Sequence, residues 1–224
     1  DSLARAFQDG GDLDRALPLL ERNLDDRIRL QGRGHPDTLI ARNNLADACR
    51  HAGDVRRAVP LFARNLRDCT RMLGPDHPHT LAARNNLADV HKAAGNPARA
   101  LSLHAENLAE GMRVLGADHP QVLGSRNNLA QAHRAVGDLA RALPLFTRNL
   151  TDCERVFSLD HPKTLTARNN LAEAYAEAGD PGRAAALYRQ SLASMRRTLG
   201  HTHPWTAAVR TALVRTLAAS AGEG

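Results

Sequence analysis

A single period runs through this chain and limits what it can fold into. The triplet Arg-Asn-Asn begins at Arg42, Arg84, Arg126 and Arg168, each 42 residues after the last. His-Pro recurs with the same period at His35, His77, His119, His161 and His203. An Arg-Ala pair does so at Arg15, Arg57, Arg99, Arg141 and Arg183. Three independent ladders that keep one spacing without drift define a stack of equivalent units, each too small to bury its own apolar surface alone.

Each unit reads as two helices. Over residues 37–74, Leu39, Arg42, Leu45, Ala46 and Cys49 fall at helical spacing in the first half. Gly53 supplies a left-handed stop, and Asp54 is suited to cap the second helix. That helix gathers Ala58, Leu61, Phe62, Leu66, Cys69 and Leu73 on one side and ends at Gly74. Pro78 then falls in the first turn of the next helix, where its missing N–H costs nothing. Pro18, Pro60 and Pro144 lie deeper inside second helices and are expected to bend them. The expected fold is an all-α solenoid of antiparallel helix pairs with one concave and one convex surface. As a single domain over 1–224 it divides into a truncated unit 1–35, full units 36–77, 78–119, 120–161 and 162–203, and a terminal helix within 204–224.

Composition agrees with this layout. The seven aromatic residues (Phe7, Phe62, Phe146, Phe157, Tyr175, Tyr188, Trp205) are too few to anchor one large core. Ala, Leu and Arg, all strong helix formers, dominate instead. The formal charge is +6, and only Lys92 and Lys163 among the 30 basic residues are lysine, a bias that suggests a high-GC bacterial coding sequence. Cys49, Cys69 and Cys153 form no CxxC or Cys/His metal spacing and are expected to be buried free thiols in a reducing compartment. No run approaches the roughly 18 apolar residues of a membrane span, and no secretory leader is legible at Asp1-Ser2. The expectation is a soluble, cytoplasmic piece of a longer polypeptide.

The wording LGxDHPxTLxxRNNLAxxxxxxGxxxRAxxLxxxxL, as in Leu73 to Leu108, resembles tetratricopeptide repeats, in particular the 42-residue variety of kinesin light chain. The resemblance covers essentially the whole chain and looks especially like repeats of actinobacterial regulatory proteins, often joined to a nucleotide-binding module of the NB-ARC or NACHT type. It implies a right-handed superhelix without enzymatic activity or cofactor, binding proteins or extended peptides in its concave groove. Two departures from the pattern stand out: Ser158 replaces a helix-ending glycine, and Asn65 and its equivalents stand where alanine is usual.

Successive helical residues are about 100° apart. Ile40, Asn43, Asp47 and Arg50 therefore form one stripe, on a different side of the helix from the buried Leu39/Arg42/Ala46/Cys49 stripe. In tetratricopeptide families the polar stripe of the first helix lines the groove. On that resemblance the candidate peptide-binding residues are Asn43, Asn85, Asn127 and Asn169, with Asp47, Asp89, Gln131 and Glu173 beside them and then Arg50, Lys92 and Arg134. A side-chain amide both donates and accepts, so it can pair with a peptide unit of any sequence. The second ladder, Asn44, Asn86, Asn128 and Asn170, is placed at the groove edge or between neighbouring units. Tandem asparagines also suit hydrogen bonding between units, so both a binding and a structural role stand open for them.

Arg42 and its equivalents lie in the apolar stripe, where a charge is costly unless paired. Asn23, Asn65, Asn107 and Asn149 sit amid apolar neighbours in the second helices. The expectation is a structural ladder in which each guanidinium bonds an asparagine on an adjacent helix.

Other signals carry less. The five His-Pro loops are read as turns, since neighbouring helices about 8–10 Å apart cannot easily share an ion through bonds of about 2 Å. The ladder Arg29, Arg71, Arg113, Arg155 and Arg197 could track nucleic acid, but Asp26, Asp68, Glu110 and Asp152 stand three residues before most of it, and aromatics for base stacking are scarce. No phosphate loop, nucleophile elbow or paired-carboxylate constellation is present, so no enzyme is expected. The leading expectation is a protein- or peptide-binding scaffold. The alternatives are a sensor arm of a larger signalling ATPase, with the nucleotide-binding domain in the same polypeptide, and arginine-mediated nucleic-acid binding.

Overall fold

A computed structural model describes Phe7 and residues 10–221. Among the described residues ten α-helices follow one another with no strand: α1 (Leu13–Gln31), α2 (Pro36–His51), α3 (Val55–Leu73), α4 (Pro78–Ala93), α5 (Pro97–Leu115), α6 (Pro120–Ala135), α7 (Leu139–Phe157), α8 (Pro162–Glu177), α9 (Pro181–Thr198) and α10 (Pro204–Ala221). The even-numbered helices from α2 to α10 all begin on the proline of His-Pro, so the period of the motif is the period of the fold. The start of the expected truncated unit 1–35 lies outside the described residues.

Local chemistry places the helix ends. The ring Nδ1 of His35, His77, His119, His161 and His203 accepts the backbone N–H two residues on, at 3.1–3.3 Å. These histidines are thus helix caps, with proline pre-shaped for the first turn behind them. Asp12, Asp54, Asp138 and Asp180 cap the helices that follow them by accepting the backbone N–H three residues on. Thr38 and Thr80 donate to the carbonyls of Gly32 and Gly74, tying each loop back to the helix before it. α1, α3 and α7 end on a residue with positive φ; Gly74 (φ +92°) suits this, whereas Ser158 adopts φ +100°, ψ 164°, a region almost reserved for glycine. α1, α3 and α7 run on through Pro18, Pro60 and Pro144.

The chain forms two compact units, residues 1–114 and 115–224. In the first, Leu20, Leu24, Leu45, Phe62, Leu87 and Leu103 form the main core, with alanines at the helix crossings. In the second, Leu123, Phe146, Leu150 and Leu171 make one cluster and Leu165, Tyr188, Leu192, Met195 and Val209 another. Burying one such side chain contributes about 1.5–3 kcal/mol.

The first helices are buried on two sides. Leu39, Arg42, Ala46 and Cys49 of α2 are all at most 5 % exposed, and so is Ala41 on the other side. The expected arginine–asparagine ladder is not what fills this interior. Arg42 donates to Asp68 at 2.9 Å and to the Arg33 carbonyl, Arg126 donates to Asp152 at 2.8 Å, and Arg168 to Glu154 at 2.8 Å. A buried cation gains far more from a carboxylate than from a neutral amide; Asp68 and Asp152 supply it from the following second helix and Glu154 from the preceding one. The buried asparagines are left to other roles.

Candidate functional site

In the first unit, the outward stripes of α2 and α4 and the α3 side chain beneath them enclose a cleft of about 400 Å³ lined by Asp47, Arg50, Phe62, Asn86, Asp89 and Lys92. Arg50 folds onto Asp47, with Nη2 donating to Oδ1 at 2.6 Å. Asp89 accepts from Asn85 Nδ2 at 3.2 Å. Burial pushes the Asp89 carboxyl above the usual carboxylate range, against the pull of Arg50 and Lys92. Lys92 stands exposed at the rim.

Beneath Asp89 lies His104 of α5, 1 % exposed, at the position held by Leu20, Phe62, Phe146 and Tyr188 in the other second helices. Its Nε2 is 3.5 Å from Asp89 Oδ1. Burial drives the ring down to about 4, so it is neutral at ordinary pH.

The expected asparagine ladder divides once its partners are known. Asn43 and Asn127 accept hydrogen bonds at 2.8 Å from Asn86 and Asn170, the second-ladder residues of the next first helix. Those oxygens therefore help to hold consecutive units in register. Asn169 is buried, with neither amide atom hydrogen-bonded. In the second unit Arg134 of α6 reaches Glu173 and Glu177 of α8, and Gln131 is half-buried beside it.

Sequence reasoning missed a deeper feature. An apolar pocket of about 160 Å³ opens between α2 and α4, with Leu39, Ile40 and Ala82 on its walls and Asn65 and Cys69 of α3 below. Its counterpart of about 260 Å³ in the second unit has Leu123, Thr166, Asn149 and Cys153 in the matching places. The carboxamide oxygens of Asn65 and Asn149 are buried and accept no hydrogen bond. The departure of these asparagines from the usual alanine is the signal that could have found them. Burial raises both thiols, which suits inert packing rather than reactivity.

The arginine ladder is held by carboxylates. Arg29, Arg71, Arg113 and Arg155 meet the acids three residues earlier. Arg113, Arg155 and Arg197 also clamp Asp76, Asp118 and Asp160 of the preceding DHP loops. Among the described residues no group of three His, Cys, Asp or Glu side chains is arranged to hold a metal. No described helix is long and apolar enough to cross a membrane.

Comparison with known proteins places this geometry. A family model described as tetratricopeptide repeat matches residues 1–67, 49–109 and 121–197. Among curated proteins none matches the chain. Among solved structures, the nearly identical tetratricopeptide-like repeats assigned to a kinesin light chain of Podosopora anserina superpose with a TM-score of 0.76 at 29 % identity, covering 88 % of this chain and 94 % of that one. BtubC (BKLC) from P. vanneervenii gives 0.80 at 20 % identity over 93 % and 84 %. The Rap protein complexed with competence and sporulation factor shares the fold alone, at 0.68 and 12 % identity over 86 % and 52 %.

Proposed function

The chain belongs to the tetratricopeptide repeat family, in its kinesin-light-chain-like form, and from that premise we propose that it binds an extended peptide segment of another protein along the outward stripes of its first helices. Tetratricopeptide repeats in general mediate protein–protein interaction and serve as non-catalytic scaffolds. The observation that carries the finer reading is the cleft between α2 and α4, where Asp47, Arg50, Asp89 and Lys92 surround an apolar floor at Phe62. Both signs of charge lie within one short stretch, so a ligand can be met by hydrogen bonds and ion pairs while an apolar side chain is desolvated.

Within this reading the roles of the asparagines shift. Asn43 and Asn127 act chiefly between units, whereas Asn65 and Asn149 offer amide oxygens that a ligand N–H can use. That the Rap neighbour was solved as a complex with a separate factor is in keeping with such a use of the fold.

Peptides selected on the immobilised chain from a random display library test the reading. Lys92→Glu and Asp89→Lys should each weaken selected peptides at least tenfold while the helical circular dichroism stays unchanged. Peptides bound equally well by both variants would place the binding surface elsewhere.

A further inference from the structure

One arginine of a repeated set lacks the loop carboxylate that its equivalents receive. Arg113, Arg155 and Arg197 stand in the last turns of α5, α7 and α9. Each is met by the aspartate just before the histidine of its own unit's His-Pro loop: Asp76 at 2.5 Å, Asp118 at 2.6 Å and Asp160 at 2.9 Å. Arg71 holds the same place on α3, but the residue before His35 is Gly34, and Arg33 precedes it. Among the described residues Arg71 is left with Asp68, at 3.3 Å, and Asp68 already receives the buried Arg42.

The surroundings add charge of the same sign. Arg64, Arg67 and Arg71 fall within an arc of about 60° on α3, and all three are exposed. Arg64 lies close enough to Arg42 for its charge to count against that guanidinium. The second unit arranges this register differently. There Arg148, the counterpart of Arg64, donates to Asp152 at 3.1 Å, and Thr151 stands in place of Arg67. The loop before α2 brings Arg33 to the same end of α3: its carbonyl accepts from Arg42 at 3.3 Å, and a methyl group on Gly34 would lie 3.0 Å from Met72 Sδ. Among the described residues the side chains of Arg33, Arg64 and Arg67 have no hydrogen-bond or ion-pair partner. Met72, 54 % exposed, adds apolar surface at this end of the helix.

We propose that Arg33, Arg64, Arg67 and Arg71 bind an acidic segment of a partner protein, one of whose carboxylates meets Arg71 as Asp76 meets Arg113. The repeat argues for a carboxylate over a phosphate, because the chain's own loops satisfy this arginine with aspartate at three other places. A guanidinium fork matches a carboxylate in two parallel hydrogen bonds, and three neighbouring unpaired arginines draw a run of acids rather than a single one. The surface is made by the outer side of α3 and the loop before α2, and it shares no residue with the proposed peptide cleft. The two readings therefore stand or fall separately.

The test titrates the whole chain into fluorescently labelled polyglutamate. Saturable binding is expected, weakened at least tenfold by Arg67→Glu and by Gly34→Asp, which gives Arg71 the loop aspartate found in the later units. Arg67 is exposed, and a side chain at Gly34 meets only the flexible end of Met72, so the helical circular dichroism should not change. Arg189→Glu on the exposed side of α9 and Lys92→Glu in the peptide cleft should leave the affinity within twofold. No saturable binding at several hundred micromolar would overturn the proposal. An equal loss in Arg189→Glu would also overturn it, by reducing the effect to overall charge. A single-stranded oligonucleotide bound more tightly than polyglutamate, and lost in Arg67→Glu, would overturn it in favour of nucleic acid.

Discussion

Arg42 of α2 is 1 % exposed, and its Nη1 donates at 2.9 Å to Oδ2 of Asp68, which lies on α3 and also receives Arg71. The pair joins the two helices of one unit through the middle of their apolar contact. Burial, with the nearby charge of Arg64, lowers the basicity of the Arg42 guanidinium, and the Asp68 carboxylate offsets this in part. The same construction recurs at Arg126 and Asp152, both under 6 % exposed at the side chain.

Removing one partner strands the other. Asp68→Ala is expected to destabilise the chain by about 3 kcal/mol or more, while the double change Arg42→Met with Asp68→Leu costs much less or nothing. Urea unfolding of the two variants separates the outcomes, since equal losses would mean that packing rather than charge sets the cost.

Ser158 holds a backbone conformation that its counterparts Gly32, Gly74, Gly116 and Gly200 adopt freely. The strain of such a residue is about 1–3 kcal/mol. Ser158→Gly is therefore expected to raise the urea midpoint, and Gly74→Ser to lower it.

His104 makes stability depend on pH with a definite sign. Its folded pKa, about 4, lies below the unfolded value of 6.5, so the unfolded chain binds the extra proton first. Stability contributed by the neutral ring is present above about 6.5 and is lost as pH falls toward 4, a change of about 3 kcal/mol. His104→Phe, which copies Phe62 and Phe146, should remove this component. The stability difference between the variant and the parent, followed by denaturant titration from pH 7 to pH 4, should widen on acidification.

The two kinds of asparagine should part in experiment. Asn43→Ala and Asn127→Ala each leave a neighbouring amide N–H without its acceptor, with an expected loss of about 1 kcal/mol. Asn65→Leu and Asn149→Leu remove a buried acceptor that has no donor, so the free protein should be as stable or more so. Peptide affinity should fall in the second pair. Thermal melts and binding isotherms on the four variants read both effects.

The chain's periodicity announces its helix pairs, and the residues that end and begin them act locally. A His-Pro pair caps and starts a helix through atoms two residues apart, and Gly53 or Asp54 needs no distant neighbour, so these features are legible in the order of residues alone. The buried stripes are legible for the same reason, because helical geometry by itself puts Leu39, Arg42, Ala46 and Cys49 on one side. Partner choice is not. Asn65 and Asp68 lie within one helical turn of each other on α3, and only the rotation of α3 against α2 sets the carboxylate rather than the amide in the path of Arg42. Whether Asn43 faces a ligand or Asn86 depends likewise on how closely α4 stacks beside α2. Short-range geometry is written in the spacing of residues, whereas pairing across helices is selected from several near-equal candidates by the packing of the whole unit.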